Sequence, residues 1–185
     1  MAVLSTQVSI GTPAPDFTLP DLDAQSTSLA DFAQHPILVV AFVCNHCPYV
    51  QHIETQLGEV AHTSPAAFVA ICSNDASAYP QDDPAHLRQQ VGRAAWSFPY
   101  LVDSDQAVAA AYGAVCTPDF FVYGPRRHLA YRGAFDGSTP KNGEPVDGAL
   151  LRRSIELIAD GQDVPLPHRP SMGCGIKWLP GKEPA

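Results

Sequence analysis

Ile37-Leu38-Val39-Val40-Ala41-Phe42-Val43 is an unbroken apolar run, and it ends at Cys44-Asn45-His46-Cys47-Pro48. A continuous run of Val, Ile, Leu and Phe reads as a strand buried on both faces, as in a parallel sheet. Pro48 suits the first turn of a helix, where its missing N–H costs nothing. Val50, Ile53, Leu57 and Val60 then recur on one stripe of an amphipathic helix. The C-x-x-C pair is therefore set between a buried strand and a helix N-terminus, with Cys44 at the carboxyl end of the strand. That junction favours an ionised thiol.

A free thiol with a pKa near 8.5 is only about 3% ionised at pH 7, and the thiolate is the species that attacks. A helix N-terminus stabilises a nearby anion by roughly 0.3–2 kcal/mol, or about 0.2–1.5 pKa units. The rest must come from backbone N–H groups, from the second thiol, and from His46 when it is protonated. Three other readings of the pair are weaker. An inert structural pair is poorly served by a strand–turn–helix junction. A zinc site needs four ligands, and the chain has no second C-x-x-C and no H-x3-H pair. A structural disulfide is at odds with a cytosolic setting. The pair reads as a redox-active dithiol, with no metal.

The other cysteines and histidines divide by setting. Cys72 ends an apolar strand and reads as a buried, inert thiol. Cys116 lies beside Thr117-Pro118 and reads either as a packing residue or as a third redox partner. His35, His52, His62, His86, His128 and His168 have no ligand spacing and read as surface residues. His46 is different because it lies inside the motif. Its charging would destabilise a disulfide and make the protein more oxidising.

Composition limits the partners. The 185 residues carry a formal net charge of −8, which argues against nucleic acid or an anionic membrane surface. Five cysteines are too few, and of the wrong parity, for a disulfide scaffold. The first residues lack the basic and apolar regions of a secretory signal, and no apolar run approaches the ~20 residues of a membrane span. The expectation is a cytoplasmic protein with one domain over 1–161 and a Pro-rich tail over 162–185, packed on or near it.

In chain order, Phe17-Thr18-Leu19 and Thr27-Ser28-Leu29 predict a short N-terminal hairpin. The central strand, its helix and Ala67–Cys72 form a βαβ unit. Asp83-Pro84 opens a helix through about Arg93. Pro99–Val102 predicts a short strand, and Gln106–Tyr112 a helix stopped by Gly113. Asp119–Tyr123 and Leu129–Phe135 predict a second hairpin, and Asp147 caps a last helix ending at Gly161. A C-x-x-C beside a βαβ unit is the pattern of a thioredoxin-like redox protein. The predicted class is α/β: a central mixed sheet flanked by helices, with an N-terminal β-hairpin and an irregular C-terminal tail. In this element order Thr117-Pro118 occupies the place of that fold's cis-proline.

Four segments carry a family resemblance. Thr12-Pro13-Ala14-Pro15-Asp16-Phe17-Thr18-Leu19-Pro20-Asp21 resembles the N-terminal strand of peroxiredoxins of the alkyl hydroperoxide reductase and thiol-specific antioxidant type. Val43–Val50, Cys116–Val122 and Pro170-Ser171-Met172-Gly173-Cys174-Gly175-Ile176-Lys177-Trp178 together resemble a subgroup of peroxiredoxin-like thioredoxin-family proteins. The resemblance spans nearly the whole chain. It implies an attacking, more exposed Cys44, a resolving Cys47, and substrate contact at Thr117 and Pro118. Peroxiredoxins read Pro-x-x-x-Thr-x-x-Cys, with the peroxidatic thiol where Cys47 stands. Here Val40 replaces the proline and Cys44 the threonine. The peroxiredoxin arginine has no counterpart beside Thr117-Pro118, and thioredoxin's buried aspartate is absent from Leu38 to Phe42.

The function expected is thiol–disulfide oxidoreduction with protein thiol or disulfide substrates or a reductase, and no cofactor. The alternatives are a thiol peroxidase using Cys47 and a non-catalytic binding module. Cys174, flanked by glycines and by apolar Ile176 and Trp178, is expected to return to the domain as an auxiliary thiol that resolves a mixed disulfide or pairs with Cys116.

Overall fold

The computed structural model describes residues 2–6 and 9–183. Its elements in chain order are β1 (Ala2–Leu4), β2 (Thr18–Pro20), β3 (Ser26–Ser28), β4 (Leu38–Phe42), α1 (Pro48–Thr63), β5 (Ala67–Cys72), α2 (Pro84–Ala94), β6 (Tyr100–Val102), α3 (Ala107–Tyr112), β7 (Cys116–Thr117), β8 (Asp119–Tyr123), β9 (Leu129–Gly133), α4 (Ala149–Ala159) and β10 (Met172–Gly175). Short 3-10 turns at Leu29–Phe32 and Pro80–Asp82 join them.

The apolar run beginning at Ile37 becomes the middle of a five-stranded mixed sheet ordered β6-β5-β4-β8-β9. Strands β4, β5 and β6 run parallel, while β8 is antiparallel to both β4 and β9. Alternation along β4 divides the core. Val39 and Ala41 pack with Leu57, Leu87 and Ile155 from α1, α2 and α4, and with Trp96 just beyond α2. Leu38, Val40 and Phe42 pack on the other side with Phe17, Phe32 and Tyr112. Each such large side chain contributes roughly 1.5–3 kcal/mol on burial. The sheet is thus held between two apolar layers, and the buried end of β4 leads to Cys44.

Local signals explain the helix ends. Asp83 caps α2 by accepting the His86 backbone N–H at 2.9 Å, with Pro84 in the first turn. Gly113 stops α3 in the left-handed region, φ 63°. Helix α4 starts one step later than the sequence predicts. Gly148 stands at its N-cap, while Asp147 Oδ1 accepts the Ala149 N–H at 2.9 Å. Strand β9 stops at Gly133, short of Phe135.

Two sequence expectations need larger correction. The C-terminal tail is not irregular throughout. Strand β10 pairs antiparallel with β1 on one side and with β7 on the other, placing Cys174 opposite Thr117. Gly173 makes this possible, because a Cβ there would stand 1.8 Å from the Thr117 carbonyl oxygen. His168 is not a surface residue either. It is buried, with its ring 4.8 Å from that of Tyr131.

The seating of β10 yields a direct test. Gly173→Ala forces Thr117 and the tail strand apart and is expected to cost about 1–3 kcal/mol as overpacking, a fall in Tm of roughly 2–12 °C. Thermal unfolding of the variant measures this, and a wild-type Tm would show that β10 is not seated against Thr117.

Candidate active site

Cys47 is the N-cap of α1, Pro48 its first residue, and Cys44 stands two residues beyond the end of β4. Both cysteines are buried, 1% and 0% exposed, so the expectation of a more exposed Cys44 is not met. All five cysteines are free thiols. The peptide bond between Thr117 and Pro118 is cis, as the element order predicts. The Thr117 hydroxyl lies 3.3 Å from Cys44 Sγ, and its carbonyl oxygen 3.2 Å from Cys47 Sγ.

The two thiols ionise in opposite directions. Cys47 is lowered to about 5, first by the hydrogen bond donated from the Cys44 thiol, then, against the cost of burial, by donation from the Cys174 thiol and from the Val50 and Cys174 N–H groups. Cys44 is pushed well above the ordinary thiol value by that same bond, by burial and by the charge of Asp82. In the thiol form Cys47 donates its S–H to the Thr117 carbonyl oxygen. A thiolate at pKa about 5 is nearly fully formed at neutral pH.

Asp82 is the residue that sequence reasoning missed. Its carboxylate accepts the Asn45 N–H at 2.9 Å, the His46 N–H at 3.1 Å, the His46 Nδ1–H at 2.6 Å and the Asn74 amide at 2.7 Å. Burial alone would raise it, but the His46 and Asn74 hydrogen bonds hold it below the usual carboxylate range. Cys44, His46 and Asp82 offer thiol, imidazole and carboxylate within 4.8 Å, a set that could ligate a cation. The four hydrogen bonds already on Asp82 account for the carboxylate as a brace for the turn. The His46 ring also stacks on Tyr79, 5.4 Å between centroids.

A second brace lies under the motif. Buried Glu54 of α1 pairs with Arg93 at 2.6 Å, and Arg93 donates to the Asn45 side chain at 2.9 Å. Gln90 reaches the Cys44 carbonyl at 3.3 Å. Arg132, the arginine nearest to Pro118 in the pairing of the sheet, forms a buried ion pair with Asp119 at 2.8 Å. It lies over the Phe121 ring, on the face of the sheet away from the dithiol.

The remaining predicted residues separate. Pro118 lines a cleft of about 150 Å³ with Leu4, Tyr49, Ile53 and Met172. The strand edge at Thr117 is taken by β10, so Thr117 faces the sulfurs instead of a bound chain. Cys116 is buried and raised by that burial, with its sulfur 4.0 Å from the Pro118 carbonyl. Cys72 is likewise buried and raised. Cys174 joins the site and is raised to about 11 by partial burial and by its hydrogen bond to Cys47.

The comparisons with known proteins bear on this geometry. The model of the AhpC/TSA family matches residues 10–132. A hypothetical protein of Sinorhizobium meliloti 1021 is 43% identical, over 96% of this chain and 99% of that one, with a TM-score of 0.93. An uncharacterized conserved protein of Geobacillus kaustophilus is 39% identical, over 98% of each chain, with a TM-score of 0.94. A secreted Mycobacterium tuberculosis disulfide oxidoreductase homologous to Escherichia coli DsbE, 20% identical over 76% of this chain and 94% of that one, superposes with a TM-score of 0.60 and shares the fold. No curated protein matches. The fold is thioredoxin-like, and the chain belongs to the AhpC/TSA family.

Proposed function

We propose that the protein is a thiol–disulfide oxidoreductase whose redox couple is Cys44–Cys47, acting on protein thiols and disulfides brought to the cleft beside Pro118. The observation that carries the reading is the placement of both buried sulfurs on Thr117 at the start of α1, Cys44 Sγ 3.3 Å from its hydroxyl and Cys47 Sγ 3.2 Å from its carbonyl oxygen. The coupling of the two thiols lowers Cys47 to about 5 and raises Cys44, which favours Cys47 as the attacking thiolate. The Cys47 thiolate attacks one sulfur of a substrate disulfide, forming a mixed disulfide and releasing the other half as a thiolate. Cys44 then gives its proton to that leaving thiolate and attacks the Cys47 sulfur. The Cys44–Cys47 disulfide forms, and the second substrate thiolate departs. This assignment reverses the order the sequence suggests, because exposure does not favour Cys44 and charge favours Cys47.

A second reading, peroxide reduction by Cys47, draws on one specific observation. Cys47, at the place of the peroxidatic cysteine in the family pattern, stands at the N-cap of α1 and is lowered to about 5.

Insulin reduction with dithiothreitol, run beside hydroperoxide consumption, separates the two. The oxidoreductase reading expects insulin reduction by the wild type and its loss to the uncatalysed rate in Cys47→Ser and in the double variant Cys44→Ser/Cys174→Ser. Peroxide consumption that survives Cys44→Ser and vanishes in Cys47→Ser, without insulin reduction, would favour the second. The order of attack has its own check: a substrate adduct on Cys44 in Cys47→Ser restores the opposite assignment.

The thiolate itself can be titrated. The ultraviolet thiolate absorbance of the reduced protein is expected to be present at pH 7 and to fall on acidification with a midpoint near pH 5, the value set for Cys47. Cys47→Ser removes that step. A midpoint near the ordinary thiol value of about 8.5 would show that Cys47 is not the charged sulfur.

A further inference from the structure

Three sulfurs meet at this site, and the reaction above uses two. Strand β10 brings Cys174 to Cys47, and the thiol and backbone N–H of Cys174 help to lower the Cys47 pKa. It is held there by more than one contact. Strand β10 is clamped between β1 and β7, in a register that sets Cys174 opposite Thr117, whose carbonyl lies 3.2 Å from Cys47 Sγ. Gly173 is pressed on the Thr117 carbonyl and the Pro118 ring with no room for a side chain. Ile176 is buried in the far core layer, and the Ile176 N–H bonds to the Val115 carbonyl at 3.0 Å. The strand occupies the sheet edge at which an incoming peptide would otherwise add by main-chain pairing, and it carries a cysteine to the sulfur such a peptide would meet.

Exposure separates the three thiols. Cys44 and Cys47 are buried, whereas Cys174 is partly open to solvent. A disulfide sealed at Cys44–Cys47 is hidden from a soluble reductant, but one that includes Cys174 has a sulfur at the surface.

We propose that Cys174 is a second resolving thiol and the surface port of the redox centre. It competes with Cys44 for Cys47 and stores the oxidising equivalent as a Cys47–Cys174 disulfide that a small soluble thiol can reduce. The inference rests on the oxidoreductase reading for the supply of the oxidising equivalent. In the step, the mixed disulfide between Cys47 and a substrate thiol is attacked at the Cys47 sulfur by Cys174. The Cys47–substrate bond breaks and the Cys47–Cys174 bond forms. The substrate leaves as a thiolate and takes up the proton that Cys174 loses. The two electrons that reduce the substrate disulfide to two thiols come from Cys47 and Cys174, which are oxidised to the new disulfide. The partial burial that raises Cys174 weakens it as a nucleophile towards outside disulfides, so it acts on the sulfur beside it.

The test is a peptide map of the full chain oxidised by glutathione disulfide, acid-quenched, alkylated and digested without reduction. Trypsin leaves Cys44, Cys47 and Cys72 together in peptide 1–88 and Cys174 in peptide 154–177, since Arg169 precedes Pro170. The expected product is a cross-link between those two peptides, with fragmentation assigning it to Cys47. In Cys44→Ser it becomes the main internal disulfide, and in Cys174→Ser it disappears. Stopped-flow reduction by glutathione is expected to be faster for the Cys47–Cys174 form in Cys44→Ser than for the Cys44–Cys47 form in Cys174→Ser. A Cys44→Ser protein that retains glutathione on Cys47 beside a free Cys174 overturns the inference. So does a wild type that reduces insulin yet gives only Cys44–Cys47, and in that case the oxidoreductase reading stands. The cross-link without insulin reduction supports the second resolving thiol and removes the oxidoreductase reading.

Discussion

The buried carboxylate of Asp82 is the interaction on which the site depends. The turn between β4 and α1 exposes backbone N–H groups that neither strand nor helix can satisfy, and a buried unpaired N–H costs about 1–3 kcal/mol. Asp82 accepts two of them, from Asn45 and His46, and fixes the His46 ring as well. Its fourth bond, from Asn74, extends the brace to the tail, because Asn74 in turn accepts the Lys177 N–H at 2.8 Å. The dithiol turn, the segment after β5 and the C-terminal tail thus converge on one carboxylate. The same charge adds to the rise of Cys44, after its hydrogen bond with Cys47 and its burial.

The site has two kinds of cover with different chemical effects. On the α-helical side, Glu54, Gln90 and Arg93 hold Asn45 and the Cys44 carbonyl without touching the sulfurs. On the other side, β7 and β10 reach the sulfurs themselves, and every added donor there stabilises an anion on Cys47. Polar contacts to backbone set the shape of the turn, and polar contacts to sulfur set its charge. A low-pKa thiolate is stable but is also a weaker nucleophile per ion than an ordinary one. The burial of Cys47 therefore favours selectivity of access over raw reactivity.

What could be read from the sequence followed local signals. The Ile37–Val43 run, the helical stripe Val50–Val60, the Asp83-Pro84 start and the two hairpins all stand close to where they were predicted, because each is written in neighbouring residues. Asp82 escaped notice because its neighbour Asp83 carries the recognisable capping signal, whereas Asp82 finds its partners 36 and 37 positions away. Strand β10 escaped for the opposite reason. Met172-Gly173-Cys174-Gly175 has the wrong propensity for a strand, and its Gly173 serves close approach to Thr117 instead. The part that Cys174 plays in lowering Cys47 depends on that approach, so no pattern around Cys44–Cys47 could have given it.

The pairing of β1 with β10 has a consequence for how the protein comes into being. The two strands flanking the redox centre lie at opposite ends of the described sequence. A ribosome adding about 5–20 residues per second releases the dithiol turn long before it makes the strand that closes over it. Until β10 is made, neither β1 nor the edge of β7 has its partner strand. The cover over Cys47 is therefore completed by a segment translated more than a hundred residues after the thiols it shields.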